Sequence, residues 1–566
     1  MSWSTACPDW ERRIVAGESL VPIPPLFPDE ARRGLEVFRS LRVADIPGKP
    51  TLGEVGLSWA FDFVGAIFGA YDPERQRQLI REYLLCVSKK NAKSTLAAGI
   101  MSTALILNPR HSAEFLILAP TKEIADNSFD PAAEMAEEAN KELIADGGHP
   151  LFRPYLREKR IVHLGTKAEL KVIAADSDTV GGTKATAVLI DELWLFGKRP
   201  GAMSMFREAT GGLAARPEGF VVYLSTMSDE APAGEFRAKL LHGRAVRDGR
   251  IVDPQFLPVI YEFPQVMLDA GAHRDPANFR ITNPNLGASV DIEYLKRELA
   301  KAEQAGETEL RDFLAKHLNV EIGLNLRSDR WAGADFWQAA AEPGLTLDEV
   351  LSRSEVIVVG IDGGGLDDLL GLAVLGRCKT TRRWLLWSRA WAHRIVLERR
   401  KQEAPRLLDL EKAGDLEIVD RPGEDVAAVA DIVMDIEDRG LLAEKGIGVD
   451  AAGIGDIVDE LTGRGLAEDR IIGIPQGWKL NGAIKTTERR VAGREIAHCG
   501  QELMAWAVGN ARVEPKGNAV TITKQASGSA KIDPLMAAIN AVALMALNPA
   551  AKNQPSVYES RGLLAL

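Results

Sequence analysis

The sequence is poor in cysteine, has no surplus of positive charge and contains no apolar run long enough to cross a membrane. Its four cysteines are far apart, so their spacing indicates neither a zinc site nor a disulfide framework. Asp and Glu number 80 against 69 Lys and Arg, and the resulting formal net charge of −11 argues against attraction of the whole protein to nucleic acid. This sum leaves a local basic groove open, because electrostatic steering depends on where the charge lies.

Targeting and membrane signals are also missing. The first residues, MSWSTACPDWERR, lack the basic-then-apolar order of a signal peptide. The longest apolar runs, 95–107 and 535–547, are shorter than the roughly 20 residues that span a bilayer. We therefore expect a soluble protein of a reduced intracellular compartment, without membrane contact. Its 566 residues are too many for one hydrophobic core and predict several domains.

Both glycines of the phosphate-loop pattern G-x-x-x-x-G-K-[ST] are missing where the rest of that pattern occurs. Residues 83–107 predict a buried strand, a polar turn and a helix, with Lys93 and Ser94 in the last two places of the pattern and Val87 and Ala92 in place of the glycines. Such a turn can bind a nucleotide's phosphates through backbone N–H groups, the lysine and a Mg²⁺ ion held by the hydroxyl. The alternative is a surface turn before an ordinary core helix.

Two further predicted strands end in polar side chains. The apolar residues 187–190 lead into Asp191 and Glu192, and the next strand leads into Ser225 and Thr226. An acid beside a phosphate loop can hold Mg²⁺ through water, and a second acid can orient the attacking water. The hydroxyls can sense the γ-phosphate or simply cap a helix. Three buried strands with polar ends, alternating with helices, predict a parallel α/β nucleoside-triphosphatase core.

A second group of acids follows in the C-terminal half. Asp362 and Asp450 each end an apolar predicted strand, and Asp533 stands at the start of an apolar helix, where the helix dipole favours a carboxylate. As a set they predict a carboxylate cluster for two Mg²⁺ or Mn²⁺ ions, which can stabilise the attacking and leaving oxygens of phosphodiester hydrolysis. Asp368 is a candidate fourth ligand, although Asp367 beside it makes that choice ambiguous. Taken singly, each acid is more often a cap or turn residue.

These segments divide the chain into four predicted parts. The proline-rich residues 1–55 form an arm or small subdomain, 56–345 the nucleotide-binding domain, 346–550 the domain with the second acid group, and 551–566 a tail. The charged residues 73–81 predict a helix that leads into the phosphate-loop strand.

The order and spacing of the motifs resemble the large terminase subunit of tailed bacteriophages and prophages, over roughly residues 55–548. The resemblance rests on the segments VSKKNAKST, VLIDELW, YLSTMS, NPNLG, HLNVEI, GIDGGGLDDLLGLAVL, IGVD and KIDPLMAAINAV. It implies an α/β protein that joins an N-terminal P-loop ATPase domain of the additional-strand type, with a parallel sheet, to a C-terminal ribonuclease H-like nuclease domain. Such proteins hydrolyse ATP to move double-stranded DNA into a procapsid and cut that DNA with a metal-dependent endonuclease site.

The resemblance also implies roles for the matching residues. The nucleotide-binding set is Lys89, Lys90, Asn91, Ala92, Lys93, Ser94, Thr95, Asp191, Ser225 and Thr226. Ser94 and Asp191 would hold Mg²⁺, Glu192 would be the catalytic base, and Ser225 and Thr226 match a coupling motif. The nuclease set is Asp362, Asp450 and Asp533, with Asp368 as a further metal ligand. The family usually keeps the second glycine of its phosphate loop, so Ala92 is a departure that bears on the rate of ATP turnover.

Cofactors, partners and location follow from the same resemblance. ATP and Mg²⁺ are the expected cofactors, with Mn²⁺ as an alternative in the nuclease site. The expected partners are double-stranded DNA, the portal protein of the procapsid, the small terminase subunit and further copies of the chain in a pentameric ring. The expected location is the cytoplasm of the infected bacterial host and not the mature virion.

Local positive charge is needed for phosphate contacts, because the chain as a whole is acidic. The candidates beside the nuclease acids are the basic residues of 489–494 together with Lys516, Lys524 and Lys531. Arg207 and Arg216 are candidates for an arginine donated to a neighbouring subunit's ATP.

Two other functions fit the residues. The first is an ATP-driven helicase or remodelling motor whose ribonuclease H-like domain does not cut. The second is a non-enzymatic capsid or portal-docking protein with a degenerate phosphate loop. The two missing glycines favour this function. Glu192 and the complete set of acids argue against this second function, because a scaffold has no use for them.

Overall fold

The computed structural model describes residues 3–174, 184–199, 201–322, 331–401, 403–450, 455–516, 519–523 and 531–551. Two compact units make up the chain, Met1–Ile322 and Gly323–Leu566. The domain boundaries at 55, 345 and 550 remain predictions, and both Lys524 and the tail from 552 onward lie outside the described residues. Among the helices that are described, none combines the length and the apolar character that crossing a bilayer requires.

The described part of the first unit contains both strands and helices. Its strands are β1 (Tyr71–Asp72), β2 (Arg77–Gln78), β3 (Glu82–Cys86), β4 (Glu114–Ala119), β5 (Phe152–Tyr155), β6 (Arg160–His163), β7 (Glu169–Ala174), β8 (Ala185–Ile190), β9 (Phe220–Ser225) and β10 (Phe256–Ile260). Its α-helices are α1 (Trp10–Ala16), α2 (Pro28–Ser40), α3 (Leu52–Val55), α4 (Ser58–Phe68), α5 (Lys93–Leu107), α6 (Lys122–Ala145), α7 (Leu193–Phe196), α8 (Ala202–Gly211), α9 (Gly234–Arg247), α10 (Gln265–Asp269), α11 (Ile292–Ala305) and α12 (Glu307–Leu318).

The central sheet of this unit has the strand order β10-β3-β9-β8-β4-β7-β6-β5. Neighbouring strands from β10 to β7 are parallel, and β6 and β5 extend the sheet in antiparallel pairing. Strands β8, β9 and β10 are buried along their whole length, as in a parallel sheet covered on both faces. Strand β9 lies between the phosphate-loop strand β3 and the acid-bearing strand β8, and this inserted strand defines the additional-strand type of ATPase.

The prediction of a helix at 73–81 is wrong, because these residues belong to a hairpin in which β1 pairs antiparallel with β2. The Asp72 carboxylate accepts hydrogen bonds from the N–H groups of Glu74 and Arg75, each at 3.0 Å, and this side chain closes the turn. Gln78 is buried and donates to a carbonyl of α4 at 2.6 Å. The charged residues therefore mark an exposed turn rather than a helix face.

The second unit contains a mixed sheet with helices. Its strands are β11 (Ser354–Gly363), β12 (Leu369–Cys378), β13 (Trp384–His393), β14 (Leu416–Val419), β15 (Leu442–Asp450), β16 (Ile471–Ile474), β17 (Ile496–His498), β18 (Arg512–Lys516) and β19 (Ala519–Thr523). Its α-helices are α13 (Ala334–Trp337), α14 (Leu347–Arg353), α15 (Ile395–Arg399), α16 (Ala404–Lys412), α17 (Glu424–Asp438), α18 (Gly455–Gly463), α19 (Asn481–Ala492), α20 (Glu502–Asn510) and α21 (Asp533–Met545).

The main sheet has the order β14-β13-β12-β11-β15-β16, and β17 also pairs with β13. Strands β11, β12 and β13 form an antiparallel meander, whereas β15 runs parallel to β11 and β16 runs parallel to β15. Three antiparallel strands followed by parallel ones are the sheet of the ribonuclease H-like fold. The hairpin β18–β19 stands apart from this sheet.

Helix α21 lies directly on the sheet because glycines face it. A β-carbon at Gly360 would lie 1.9 Å from the carbonyl oxygen of Ala537, and one at Gly371 would lie 2.9 Å from the carbonyl carbon and oxygen of Asp533. Real β-carbons essentially never approach backbone atoms so closely. The two glycines therefore let the helix backbone approach β11 and β12, and they set where Asp533 lies.

Candidate nucleotide site and nuclease site

The phosphate loop runs from the end of β3 at Cys86 to the start of α5 at Lys93. Ala92, in the place of the missing second glycine, has φ 54° and ψ 30°. This is the left-handed region, where a β-carbon costs roughly 1–2 kcal/mol. The loop therefore adopts the turn that glycine normally provides, although the residue is alanine. Ser94 and Thr95 follow in the first turn of α5, where backbone N–H groups lack partners within the helix.

Lys93 is buried inside this loop. Its Nζ donates to the carbonyl oxygens of Val87 at 3.2 Å and Ser88 at 3.3 Å. Burial lowers the pKa of the Lys93 ammonium, and the negative charges of Glu192 and Asp191 oppose that shift. Among the described residues the buried hydroxyl of Ser88 has no hydrogen-bond partner. A buried cation beside an unpaired hydroxyl suits a ligand that carries several acceptor oxygens, as a phosphate does.

The loop is held in shape by a later segment of the chain. Asn91 donates through Nδ2 to the carbonyls of Ser88 at 3.1 Å and Lys89 at 3.2 Å and to Oδ1 of Asn283 at 2.9 Å. Its own Oδ1 accepts the N–H of Asn285 at 3.0 Å. In the sequence analysis the NPN motif only supported the family resemblance, because hydrogen bonds to a loop about 190 residues earlier leave no local pattern.

The two cationic residues before Asn91 are also anchored through their backbones. The N–H of Lys89 donates to the carbonyl of Lys316 at 2.7 Å, and the carbonyl of Lys90 accepts from the hydroxyl of Ser289 at 2.6 Å. Lys90 has φ 70°, a second left-handed residue in the loop. These hydrogen bonds use the backbones of Lys89 and Lys90, so the two ammonium groups take no part in fixing the turn.

Asp191 and Glu192 follow β8 directly, as the sequence predicted. Asp191 is buried, and its carboxylate accepts from the hydroxyl of Ser128 at 2.6 Å and from the N–H of Glu192 at 2.9 Å. Burial and the charge of Glu192 raise the pKa of Asp191 from 3.8 to about 6, against the opposing effects of the Ser128 hydrogen bond and Lys93. Ser128, from α6, was not found by sequence reasoning because it belongs to no recognised motif.

Glu192 is partly exposed and has φ 49°, so it turns the chain sharply at the strand end. Its Oε2 accepts from the indole Nε1 of Trp194 at 2.5 Å. Ser225, at the end of β9, accepts from the N–H of Trp194 at 3.1 Å and donates to the carbonyl of Thr226 at 2.8 Å. In the described part of the chain the buried hydroxyl of Thr226 has no partner. The four polar residues predicted at these two strand ends thus lie on adjacent parallel strands.

Strand pairing and the start of α21 place the predicted nuclease acids at the same end of the second sheet. Strands β11 and β15 are parallel with Ile361 opposite Val449, so Asp362 and Asp450, the next residue on each strand, lie at adjacent strand ends. Asp533 begins α21, which packs on these strands, and its Oδ1 lies 3.3 Å from where a β-carbon of Gly363 would be. Their carboxylate oxygens are the ligand type that Mg²⁺ and Mn²⁺ prefer.

Asn540 fixes the helix that carries Asp533. This fully buried residue of α21 donates through Nδ2 to the carbonyl of Ile361 at 3.0 Å, one residue before Asp362. Gln476 donates to Oδ1 of Asn540 at 3.1 Å. No local pattern pointed to Asn540, since a lone polar residue in an apolar helix does not reveal its partner.

Asp368 is engaged by a cation. Its carboxylate accepts from the ammonium of Lys531, which is buried and also donates to the carbonyl of Asp367 at 3.2 Å. Lys531 therefore lies at the acid-bearing edge, as the sequence analysis expected. Within the described residues, no group of three or more His, Cys, Asp or Glu side chains has the arrangement to hold a metal ion.

The arginines of α19 lie elsewhere. The guanidinium of Arg490 stacks 3.8 Å from the ring centroid of Trp384, which pairs with Arg377 at the far end of β12. Six residues along the strand separate the Arg377–Trp384 pair from the position of Asp362. At roughly 3.3 Å per residue, this distance is about 20 Å. The expectation that the 489–494 region stands beside the nuclease acids is therefore wrong for Arg490, because α19 packs against the opposite end of the sheet. The side chain of Lys516 is not among those described.

These features define a class of protein: a P-loop ATPase of the additional-strand type, followed in the same chain by a ribonuclease H-like unit with aspartates at one sheet edge. Residues 58–231 match the family described as terminase large subunit, ATPase domain, and residues 259–548 match terminase large subunit, endonuclease domain. The chain belongs to the terminase large subunit family. It is therefore an ATPase and an endonuclease, and its family implies a part in DNA packaging, the use of a nucleotide and a divalent metal, and interaction with DNA and the portal.

Several solved structures are similar to this chain. The large terminase of bacteriophage HK97 is 19% identical, with 91% of this chain and 99% of that chain covered and a TM-score of 0.46. A large terminase from a thermophilic bacteriophage, in complex with ADP, is 12% identical, with 83% and 95% covered and a TM-score of 0.30. The large terminase nuclease of the thermophilic phage G20c with bound magnesium is 14% identical, with 38% and 98% covered and a TM-score of 0.25. Comparison with curated protein sequences finds no match.

Proposed function

We propose that this chain hydrolyses ATP to translocate double-stranded viral DNA into a procapsid and cuts that DNA at a two-metal endonuclease site. The proposal rests on one observation: polar residues stand at the strand ends of two different sheets. Lys93, Asp191 and Ser225 stand at or beside the ends of the adjacent strands β3, β8 and β9. Asp362 and Asp450 end neighbouring strands of the other sheet.

In the ATPase site, the residues divide between phosphate binding and water activation. Lys93 binds the β- and γ-phosphates, while Lys89, Lys90, Asn91, Ala92 and Thr95 shape and charge the loop around them. Ser94 and Asp191 hold Mg²⁺, and the metal, when bound, neutralises charge on the transferred phosphoryl group. Glu192 orients the attacking water and accepts its proton. The Thr226 hydroxyl, which has no partner among the described residues, senses the γ-phosphate, and Ser225 transmits the change to α7.

In the nuclease site, Asp362, Asp450 and Asp533 hold divalent ions, with Asp368 as an outer ligand. Mg²⁺ is the expected ion, and Mn²⁺ serves the same oxygen ligands. When bound, two ions stabilise the attacking and leaving oxygens of phosphodiester hydrolysis. The residues of the chain itself supply the negative charge that attracts these ions and the fixed helix start that holds Asp533. Lys531 balances the charge of Asp368 beside them.

The assembly that we propose contains more than this chain. Five copies form a ring on the portal protein of the procapsid, and the small terminase subunit delivers the DNA. Packaging takes place in the cytoplasm of the infected host, and the protein leaves before the virion matures. An arm (1–55), an ATPase domain (56–345), a nuclease domain (346–550) and a tail (551–566) are the corresponding parts of the chain, and limited proteolysis would test these bounds.

The decisive experiment is cleavage of a plasmid with Mg²⁺ or Mn²⁺, with ATP turnover followed in the same samples. We expect the wild type to cut and Asp362→Ala to lose cutting while its ATP turnover persists. Asp456→Ala, on the exposed face of α18, is the matched control and should cut normally. If the wild type never cuts with either metal, the nuclease assignment fails and a helicase-like motor with a silent ribonuclease H-like domain becomes the better proposal.

A further inference from the structure

Trp194 contacts two side chains that we propose act in ATP hydrolysis, Glu192 and Ser225. Its indole N–H donates to the Glu192 carboxylate at 2.5 Å, and its backbone N–H donates to the hydroxyl of Ser225 at 3.1 Å. The side chain is 7% exposed, so its position is set by packing. One residue of the short helix α7 therefore joins the carboxylate at the end of β8 to the hydroxyl at the end of β9.

The indole ring is itself fixed by two cations. The ammonium of Lys198 lies 5.3 Å and that of Lys316 4.9 Å from the ring centroid, distances at which a cation is attracted to the face of an indole. Both ammonium groups also bind the carboxylate of Asp229, at 2.7 Å and 3.2 Å. This cluster of Lys198, Lys316 and Asp229 holds the ring in one orientation.

The same cluster reaches the phosphate loop. The backbone carbonyl of Lys316 accepts the N–H of Lys89 at 2.7 Å. A continuous series of contacts thus leads from Lys89 through Lys316 and Trp194 to Glu192 and Ser225. These contacts connect the backbone of the phosphate loop to the ring that hydrogen-bonds Glu192.

A carboxylate in the position of Glu192 needs such a support. The residue is partly exposed at a sharp turn, with φ 49°, and a glutamate has three rotatable side-chain bonds. A general base must be held within hydrogen-bond reach of the water that it activates, and a misplacement of about 1 Å is enough to cost a large part of the rate. The hydrogen bond from the indole N–H fixes one oxygen of this carboxylate directly.

We propose that Trp194 is a positioning residue of the ATPase, which aims the Glu192 carboxylate and makes its orientation depend on the phosphate loop and on Ser225. The inference rests on the proposed role of Glu192 as the base. It predicts that the indole N–H acts on the chemical step and not on nucleotide binding.

The test compares Trp194→Phe, which removes the N–H and keeps an aromatic ring for the two lysines, with wild type in the full-length chain. We expect kcat for ATP hydrolysis to fall by about 10-fold, a fraction of the 10²–10⁴ that a positioned base contributes. The KM for ATP and the Kd of a non-hydrolysable ATP analogue should stay within about 2-fold. Trp478→Phe, at a tryptophan that is 62% exposed, should leave all three unchanged.

A double-mutant cycle separates positioning from a general structural effect. Adding Trp194→Phe to Glu192→Gln should cause no further loss, because the group that the indole aims is already disabled. If Trp194→Phe keeps the wild-type kcat while Glu192→Gln is inactive, the positioning role is overturned and Glu192 remains the base. If Trp194→Phe instead weakens analogue binding or melts earlier in step with its loss of rate, the residue is structural. If Glu192→Gln hydrolyses ATP normally, the proposed base itself is wrong.

Discussion

At the scale of single residues, Ala92 shows how a motif can be lost in the sequence and kept in the backbone. The glycine that normally occupies this place is chosen for its left-handed conformation, and Ala92 adopts that conformation with φ 54°. Asn91 and the NPN motif hold the loop around it through three side-chain hydrogen bonds from Nδ2 and one to Oδ1. The surrounding structure therefore holds Ala92 in a strained conformation that alanine does not prefer.

Ala92→Gly should relieve this strain. We expect the free energy of unfolding of the first unit to rise by about 0.5–1 kcal/mol, since the steric penalty of the β-carbon is partly offset by the greater flexibility of glycine in the unfolded chain. Denaturant unfolding of both variants measures the change. The matched control is Ala98→Gly, in the middle of α5, which should lower stability by about 1 kcal/mol. A loss of stability in Ala92→Gly would contradict the assigned strain.

The raised pKa of Asp191 predicts that the stability of the folded chain depends on pH. Its pKa is raised from 3.8 to about 6 in the folded chain, so the folded state keeps this proton after the unfolded state has lost it. The contribution of Asp191 to stability therefore falls as pH rises from about 4 to about 6 and is constant above that, a total loss of about 3 kcal/mol. A bound divalent ion would offset this loss by stabilising the ionised carboxylate.

Asp191→Asn removes this titration while it keeps the shape of the side chain. In metal-free buffer, the unfolding free energy of the variant relative to wild type should therefore rise by about 3 kcal/mol between pH 4 and pH 7.5. Urea unfolding across this range measures the difference. A flat difference for Asp191→Asn would refute the raised pKa.

At the scale of elements, α21 is the helix on which the nuclease site depends. It lies across β11 and β12 at glycines, it begins with Asp533 and it is tied to β11 by Asn540. Its residues are buried nearly all round, which explains why Asn540 is its only polar residue after Asp533. The acid at its first residue is thus positioned by contacts along the whole helix and not only by its own surroundings.

Gly360→Ala should break this arrangement. The added β-carbon would meet the Ala537 carbonyl oxygen at 1.9 Å and the Ala541 nitrogen at 2.6 Å, and neither backbone atom can turn aside as a flexible side chain would. We expect the second unit to lose about 3 kcal/mol or more of stability and the chain to lose DNA cleavage, whereas ATP turnover persists. Thermal unfolding together with both activity assays tests this. Gly482→Ala, which has open space around its position in α19, should keep both activities and raise stability by up to about 1 kcal/mol.

At the scale of the whole molecule, the two reactions belong to two units with separate sheets. The strands that carry the ATPase residues all lie before residue 260, and those that carry the nuclease acids all lie after residue 353. Each main sheet is built from strands of one unit, so we expect an active-site change in one unit to leave the fold of the other intact.

Lys93→Ala should therefore abolish ATP turnover, because it removes the ammonium that we propose binds the phosphates, and should leave metal-dependent plasmid cleavage within about 2-fold of wild type. Parallel ATPase and cleavage assays on one preparation make the comparison. Lys141→Ala, an exposed lysine of α6, serves as the control and should keep both activities. A simultaneous loss of cleavage in Lys93→Ala would mean that the two sites do not work independently.

Most of the proposed site residues could be placed at strand ends from the sequence because each follows a short local pattern. Apolar runs that end in Asp191, Ser225, Asp362 or Asp450 identify buried strands and the polar ends that a parallel sheet gathers at one edge. Lys93 and Ser94 were found despite the missing glycines, since the lysine, the hydroxyl and the following helix are local features. The class of fold and the family followed from the order of these patterns.

Only the tertiary structure revealed the strand order and the contacts between residues that are distant in sequence. Four features join segments that local periodicity treats as independent. They are the insertion of β9 between β3 and β8, the hydrogen bonds that Ser128 donates to Asp191 and Asn91 donates to Asn283, and the position of Arg490 at the far end of its sheet. The hairpin at 71–78 is a smaller example, in which pairing and a side-chain-closed turn override a helical charge pattern. Propensity is local, whereas strand order and polar partners are settled by which surfaces and hydrogen-bonding groups must be buried together.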